Sequence, residues 1–198
     1  LESYITMPKG FLANGICADL KGNGALDVAL VTSKYPCSVA GVYTSNLVKG
    51  HSLQRSMKLI EASNTIKAVL VNAKNANACV GPQGDEDAAI IAEELAKQLG
   101  CNSNEVITES TGVIGIPMPT SKILSVLPTL VSSLSDTAEA SHNAMKAMMT
   151  TDTCPKEVSA IVSLADGERI TLSGMAKGSG MIHPNLATMI GIFTTDAK

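Results

Sequence analysis

Lys177-Gly178-Ser179-Gly180-Met181-Ile182-His183-Pro184-Asn185-Leu186-Ala187-Thr188-Met189 is a glycine-rich approach to a threonine that follows a small residue, and from Thr188 to Thr195 the chain alternates as a terminal strand would. A strand that begins at Thr188 would hold its hydroxyl against a rigid sheet. Gly178 and Gly180 can take positive φ at little steric cost, Pro184 fixes its own φ and pushes His183 towards an extended shape, and Ala187 adds little bulk. Such a backbone suits a hydroxyl that attacks its own preceding carbonyl. The Ala187–Thr188 peptide would become an ester by an N-to-O acyl shift, and water would then release a chain that begins at Thr188. The new α-amine has a reference pKa of roughly 7.7–8.0, so near neutral pH it accepts the hydroxyl proton. One residue would then supply both nucleophile and base. Taken alone, the segment also fits an ordinary loop before a strand, with His183 an ordinary turn histidine.

Outward from this segment, the β-branched and apolar runs Ala25 to Thr32, Val39 to Thr44 and Ile66 to Val71 read as strands. Residues 50–62 carry Leu53, Met57 and Ile60 at helical spacing, and residues 85–99 carry Ala88, Ile91, Ala92, Leu95 and Leu99 on one face, with Gly100 as the stop. Asp85, Glu86 and Asp87 suit the first turn of that second helix, where exposed amides favour negative charge, better than a metal site. Ser121 to Leu134 and Ala138 to Met149 read as helices, with Met145, Met148 and Met149 as core. Val158 to Leu164 and Arg169 to Leu172 read as two strands joined through Asp166-Gly167. The pattern is α/β, with mixed sheets and packed helices.

The chain has 198 residues, of which 45% are hydrophobic and 3% aromatic, so Val, Ile, Leu, Ala and Met must fill the core. A net charge of −3 without a basic stripe or aromatic interleaving speaks against nucleic acid. No apolar run is long enough to span a bilayer, and Leu1-Glu2-Ser3-Tyr4 lacks a basic start followed by an apolar signal segment. The expected address is cytoplasmic. Cys17, Cys37, Cys79, Cys101 and Cys154 are dispersed and read as free, mostly buried thiols, with Cys79 and Cys154 taken as small core filling. His51, His142 and His183 show no ligand spacing, so no metal is expected. Gly178-Ser179-Gly180 and Gly22-Asn23-Gly24 are weak echoes of phosphate loops. The first lacks the lysine followed by Ser or Thr, and the second reads as a turn between strands.

Two further segments carry information. Asn72-Ala73-Lys74-Asn75-Ala76-Asn77-Ala78-Cys79-Val80-Gly81 alternates amides with small residues, and such amides can fasten an irregular backbone. Ser110-Thr111-Gly112-Val113-Ile114-Gly115-Ile116-Pro117-Met118-Pro119 sets a Thr-Gly step between a strand and a proline-punctuated turn that can aim donors at an oxyanion. Together with Lys177 to Met189, and in this order, these stretches resemble the ornithine acetyltransferase family, the glutamate N-acetyltransferases of the cyclic arginine pathway.

The resemblance implies a layered α/β arrangement of mixed sheets and packed helices, an ornithine acetyltransferase/DmpA-like self-processing fold in which residues 1–198 form a single front, alpha-chain region, cut between Ala187 and Thr188, with 188–198 opening the beta chain. It implies Thr188 as cleavage site and acetyl-accepting nucleophile, Thr111 and Gly112 as the oxyanion pair, and Thr150 and Lys177 as substrate-binding positions. Thr150 sits in Met149-Thr150-Thr151-Asp152-Thr153, where the adjacent threonine leaves the register open by one residue. The implied reaction moves an acetyl group from N-acetylornithine to glutamate without a metal or redox cofactor, acetyl-CoA being a possible co-substrate. Implied partners are the beta chain of the same precursor and a heterotetramer of two alpha and two beta chains. An N-terminal-nucleophile amidohydrolase or aminopeptidase, which would hand the acyl group to water, and a non-catalytic binding subunit are the other readings.

Overall fold

A computed structural model describes residues 2–179 and 189–197. Ala187 and Thr188, with His183 and most of the glycine-rich approach, lie outside the described residues. Strands β1 (Phe11–Ile16), β2 (Val28–Ser38), β3 (Thr65–Asn72) and β4 (Val106–Ser110) form one sheet in that order. The first two pairings are antiparallel and β3 pairs with β4 in parallel, so the sheet is mixed. Strands β5 (Glu157–Ser163), β6 (Arg169–Lys177) and β7 (Ile190–Thr195) make a second, antiparallel sheet.

Continuous apolar runs mark strands buried on both faces, and alternation along β2 and β3 assigns the faces. Val28, Leu30, Ala68 and Leu70 point to a core shared with α2 (Gln83–Leu99) and α3 (Thr120–Ser132). Ala29, Val31 and Val71 point the other way, to a core filled by Ala144, Met145, Ala147 and Met148 of α4 (Ala138–Met148) and by Met175 and Ile192 of the second sheet. The layers are therefore α2 and α3, the four-stranded sheet, then α4 with the three-stranded sheet. The methionine reading holds for Met145 and Met148, which are fully buried, and Met149 packs partly against them.

Local chemistry explains several boundaries. Helix α2 carries Asp85 and Glu86 in its first turn and ends at Gly100, whose φ of 64° is the left-handed conformation that glycine takes most readily. Asp87 instead turns inward and accepts from the Thr120 hydroxyl at 2.9 Å, tying α2 to α3. Thr137 caps α4 by accepting from the Ala140 N–H. The turn through Asp166-Gly167 joins β5 to β6 as read, and Gly22-Asn23-Gly24 lies in the connection from β1 to β2.

Two readings need correction. Val39 to Thr44 is not a strand: β2 extends through a register irregularity to Ser38, pairs there with Thr65, and the next residues leave the sheet with Val42 87% exposed. Helix α1 (His51–Ala62) forms where the spacing of Leu53, Met57 and Ile60 placed it, with those three side chains half-buried. Its buried positions are Ser52 and Ser56, whose small hydroxyls let it lie close to β4, with Ser52 bonded to Ser110 and Ser56 to the Thr108 carbonyl. None of the five cysteines is buried, and Cys79 and Cys154 are exposed. Among the described residues no helix is long and apolar enough to cross a membrane.

Met145 fills the core between α4 and the four-stranded sheet, and truncating such a side chain removes both transfer energy and packing. Met145→Ala is expected to cost about 2–5 kcal/mol of unfolding free energy, measured by urea denaturation.

Candidate functional site

Parallel strands β3 and β4 end side by side, and the loops that follow them are laced together by the asparagines of the 72–81 segment. The Thr111 N–H donates to the Asn72 carbonyl at 3.0 Å, Val113 N–H to Lys74 O, Ala76 N–H to Val113 O and Gly115 N–H to Ala78 O. Asn72 accepts from the Ser110 hydroxyl at 2.7 Å and donates to the Asn75 carbonyl. Asn75 donates to the carbonyls of Ile116 and Pro117, and Asn77 to the Gly84 carbonyl at the start of α2. The amides thus replace the ladder bonds that an irregular backbone forgoes, which is the role read from their alternation. Lys74, Asn77 and Cys79 hold positive φ there.

Gly112 is required by this lacing. Its φ is +142°, and a Cβ at that position would meet the Lys74 carbonyl and the Asn75 nitrogen. Only glycine lets the Thr111-Gly112 step lie against the β3 loop. With the Thr111 N–H committed to Asn72, the step presents the Thr111 hydroxyl and the Gly112 backbone to a cavity of about 430 Å³.

Into the same cavity β6 delivers its last residue. Lys177 is 3% exposed and donates to the hydroxyl oxygens of Thr111 at 3.1 Å and Thr150 at 2.8 Å. An ammonium only donates, so both hydroxyls act here as acceptors and their own protons are left to point elsewhere. Burial pulls the Lys177 pKa below its ordinary value, nearby Asp152 opposes that shift, and the like charges of Lys156 and Lys21 add to it.

Asp152 is the group the sequence reading quoted without giving it a role. Its carboxylate is fully buried and accepts from Lys156 Nζ at 2.7 Å, from the Gly178 N–H at 2.7 Å and from the Thr150 N–H at 3.3 Å. Burial alone would raise its pKa. The bonds from Lys156, Gly178 and Thr150, with the charge of Lys177, outweigh burial and hold it at about 2. An Asp four residues before a Lys was visible in the sequence, but nothing local showed that the pair would anchor Gly178.

Four of the expected positions therefore meet in one place: Thr111, Gly112, Thr150 and Lys177 all line the cavity. Thr150, not Thr151, bonds to Lys177, although Thr151 also lines the cavity. Lys21 and Lys74 complete a strongly cationic lining that sequence reasoning missed. Thr188 lies outside the described residues, but Ile190, two residues beyond it, pairs across the ladder with Lys177.

A second cavity, of about 300 Å³, shares the Thr111-Gly112 step and is lined by Tyr43, Glu109, Ile114, Met189 and Phe193 among others. Burial pushes the Glu109 pKa up to about 7, against a hydrogen bond from Ser56. Among the described residues no cluster of His, Cys, Asp or Glu could hold a metal ion.

A model of the ArgJ family matches residues 12–198. The arginine biosynthesis bifunctional protein ArgJ of Symbiobacterium thermophilum is 47% identical over 199 residues, covering all of this chain and 48% of that protein. The chloroplastic protein of the same name from Ricinus communis is 44% identical, with 98% of this chain and 41% of that protein covered. The chain thus spans about half the length of the curated relatives it matches. Among solved structures, the ArgJ protein of Bacillus halodurans aligns with a TM-score of 0.88 at 34% identity, covering 94% of this chain and 95% of that one. An ornithine acetyltransferase from Mycobacterium tuberculosis, complexed with ornithine, aligns with a TM-score of 0.86 at 36% identity, covering 94% and 97%. The layered α/β fold is thus that of these proteins.

Asp152 has a folded pKa depressed from 3.8 to about 2, so its ionised form adds stability that is complete above pH 4 and is lost as pH falls through 2. Asp152→Asn is expected to lose roughly 1–2 kcal/mol at pH 7, and thermal melts of variant and wild type should converge towards pH 2.

Proposed function

This chain belongs to the ArgJ family, and we propose that it is the front half of a glutamate N-acetyltransferase of arginine biosynthesis, an ornithine acetyltransferase that works through an acetyl ester on Thr188. The observation that carries the reading is the buried Lys177, bonded at once to Thr111 and Thr150 beside the Gly112 backbone. That arrangement sets hydroxyl and amide groups beside one cavity, as a developing oxyanion requires.

In the first half-reaction the Thr188 hydroxyl, freed of its proton by the Thr188 α-amine, attacks the acetyl carbonyl of N-acetylornithine. Negative charge gathers on the carbonyl oxygen opposite the Thr111 hydroxyl and the Gly112 N–H. The carbon–nitrogen bond breaks, ornithine leaves with the proton on its amine, and the acetyl group stays as an ester. Glutamate then attacks through its own amine, the ester carbon–oxygen bond breaks, and the amine's proton returns to the threonine oxygen. Lys177 binds a substrate carboxylate and holds both hydroxyls in place. No metal or redox group has a step to perform in this sequence, and acetyl-CoA can load the same hydroxyl as an alternative donor.

The free α-amine requires a cut between Ala187 and Thr188, which places residues 1–187 in the alpha chain and assigns residue 188 onward to the beta chain. The cationic cavity suits carboxylate-bearing amino acids and gives the amidohydrolase reading no particular support. A cytoplasmic heterotetramer of two alpha and two beta chains completes the proposal.

Intact mass and amino-terminal sequencing of the full-length protein test it. The expected outcome is a new terminus at Thr188 in the wild type and an uncut chain in Thr188→Ala. Cleavage at another bond, insensitive to that substitution, would remove the reading's foundation.

A further inference from the structure

Outside the lining of either cavity, a histidine of α4 lies between two carboxylates. His142 Nδ1 bonds to Glu157 Oε2 at 2.8 Å, and its Nε2 bonds to Glu2 Oε1 at 3.1 Å. The ring meets Tyr4 edge-on, with centroids 6.5 Å apart. Glu157 opens β5 and its side chain is only 10% exposed, whereas that of Glu2 is 66% exposed. An ionised carboxylate only accepts, so both ring nitrogens must donate, and only the charged imidazolium carries two N–H groups.

The elements that His142 joins are those that deliver Thr150 and Lys177. Helix α4 ends at Met148, and the loop after it carries Thr150 and Asp152 before β5 begins at Glu157. Glu157 pairs across the ladder with Met175 of β6, and the Lys156 carbonyl accepts from the Ala176 N–H. The start of β5 is thus laced to β6 just before Lys177, to which Thr150 bonds at 2.8 Å. The His142–Glu157 bond closes the base of this loop and sets the reach from Thr150 to Lys177. Met145, Met148 and Met175 share a core and hold the same elements together, but apolar contact is non-directional. A charge-assisted hydrogen bond adds the direction.

The bond to Glu2 does most to raise the His142 pKa above its ordinary value, burial opposes that rise, and Glu157 adds to it. The neighbouring turns of α4 carry Glu139 and Lys146. Of the strands packed on α4, β1 has no charged residue, Lys34 of β2 pairs with Asp136, Lys67 of β3 acts on Cys101, and Arg169 and Lys177 are the two ends of β6. A group whose folded pKa is raised contributes fully below its unfolded pKa and loses that contribution as pH rises through the folded one. Once neutral, the ring keeps one N–H and serves only one of its two carboxylates.

We infer that His142 is a positioning residue for the Thr150–Lys177 pair: by bonding Glu157 and Glu2 at once, its ring fixes α4 against β5 and makes the grip of that pair on substrate depend on pH. The inference rests on the acetyl-transfer reading and deepens it by adding a regulatory element to the same site. His142→Gln keeps a hydrogen-bonding side chain and removes the charge.

In the full-length protein, ornithine release is measured against N-acetylornithine at saturating glutamate from about pH 6 to 9, and the His142 imidazole is titrated by NMR. For His142→Gln the expected result is a KM for N-acetylornithine roughly three- to tenfold above wild type at the acid end, with kcat changed less than about twofold. That ratio should shrink towards one as the wild-type histidine loses its proton. Glu157→Gln should lower the His142 midpoint, and the double variant should be no worse than His142→Gln alone. A KM equal to wild type overturns the inference. So does a KM ratio that stays constant with pH, the mark of a histidine that serves only the fold, or a His142 midpoint that Glu157→Gln leaves unmoved. A wild type that releases no ornithine overturns the acetyl-transfer reading, and the positioning role falls with it whatever the titration shows.

Discussion

The site depends on one buried cation. Withdrawing an ammonium from water costs several kcal/mol unless hydrogen bonds and an opposite charge replace the lost hydration. Lys177 finds them in Thr111, Thr150 and nearby Asp152. Thr111 follows β4 of the mixed sheet, Thr150 follows α4, and Lys177 ends β6 of the second sheet. Satisfying a single side chain therefore fixes α4 and the second sheet against the mixed sheet at the point where they converge.

The surrounding loops are shaped to make that convergence possible. Asparagine side chains take over the hydrogen bonds that a regular ladder would have supplied, and Gly112 lets two loop backbones touch where any side chain would separate them. Asp27 does for the β1–β2 lobe what the asparagines do for the β3 loop, gathering the N–H groups of Ala18, Leu20 and Lys21 onto one carboxylate. Asp152 does the same for the chain leaving β6 by holding the Gly178 N–H. Rigid strands thus carry the functional groups to their ends, while buried polar side chains set the last few ångströms.

How much of this was legible in the sequence depended on the range of the interaction. Periodicity located α2, α3, α4 and the Ile66 to Val71 strand because burial on one or two faces leaves a local pattern. It misplaced a strand at Val39 to Thr44, where the residue types favour β structure but no neighbouring strand is left to pair with. It located α1 through Leu53, Met57 and Ile60 but not its contact with β4, because small serines rather than large apolar residues mark that close helix–strand contact. The convergence of Lys177 with Thr111 and Thr150 spans 66 and 27 residues, which no local rule reaches. Only resemblance joined those positions. Resemblance did not flag Asp152, whose role follows from three-dimensional neighbours alone.

The central claim is that the Thr111 hydroxyl, held by Lys177, stabilises charge that develops during acyl transfer. Thr111→Val keeps the shape and removes only the hydroxyl, and the direct measurement is its single-turnover rate of ornithine release from N-acetylornithine in the full-length protein. The account expects a fall of roughly 10²–10³-fold, with the protein still folded. Release at the wild-type rate would contradict it.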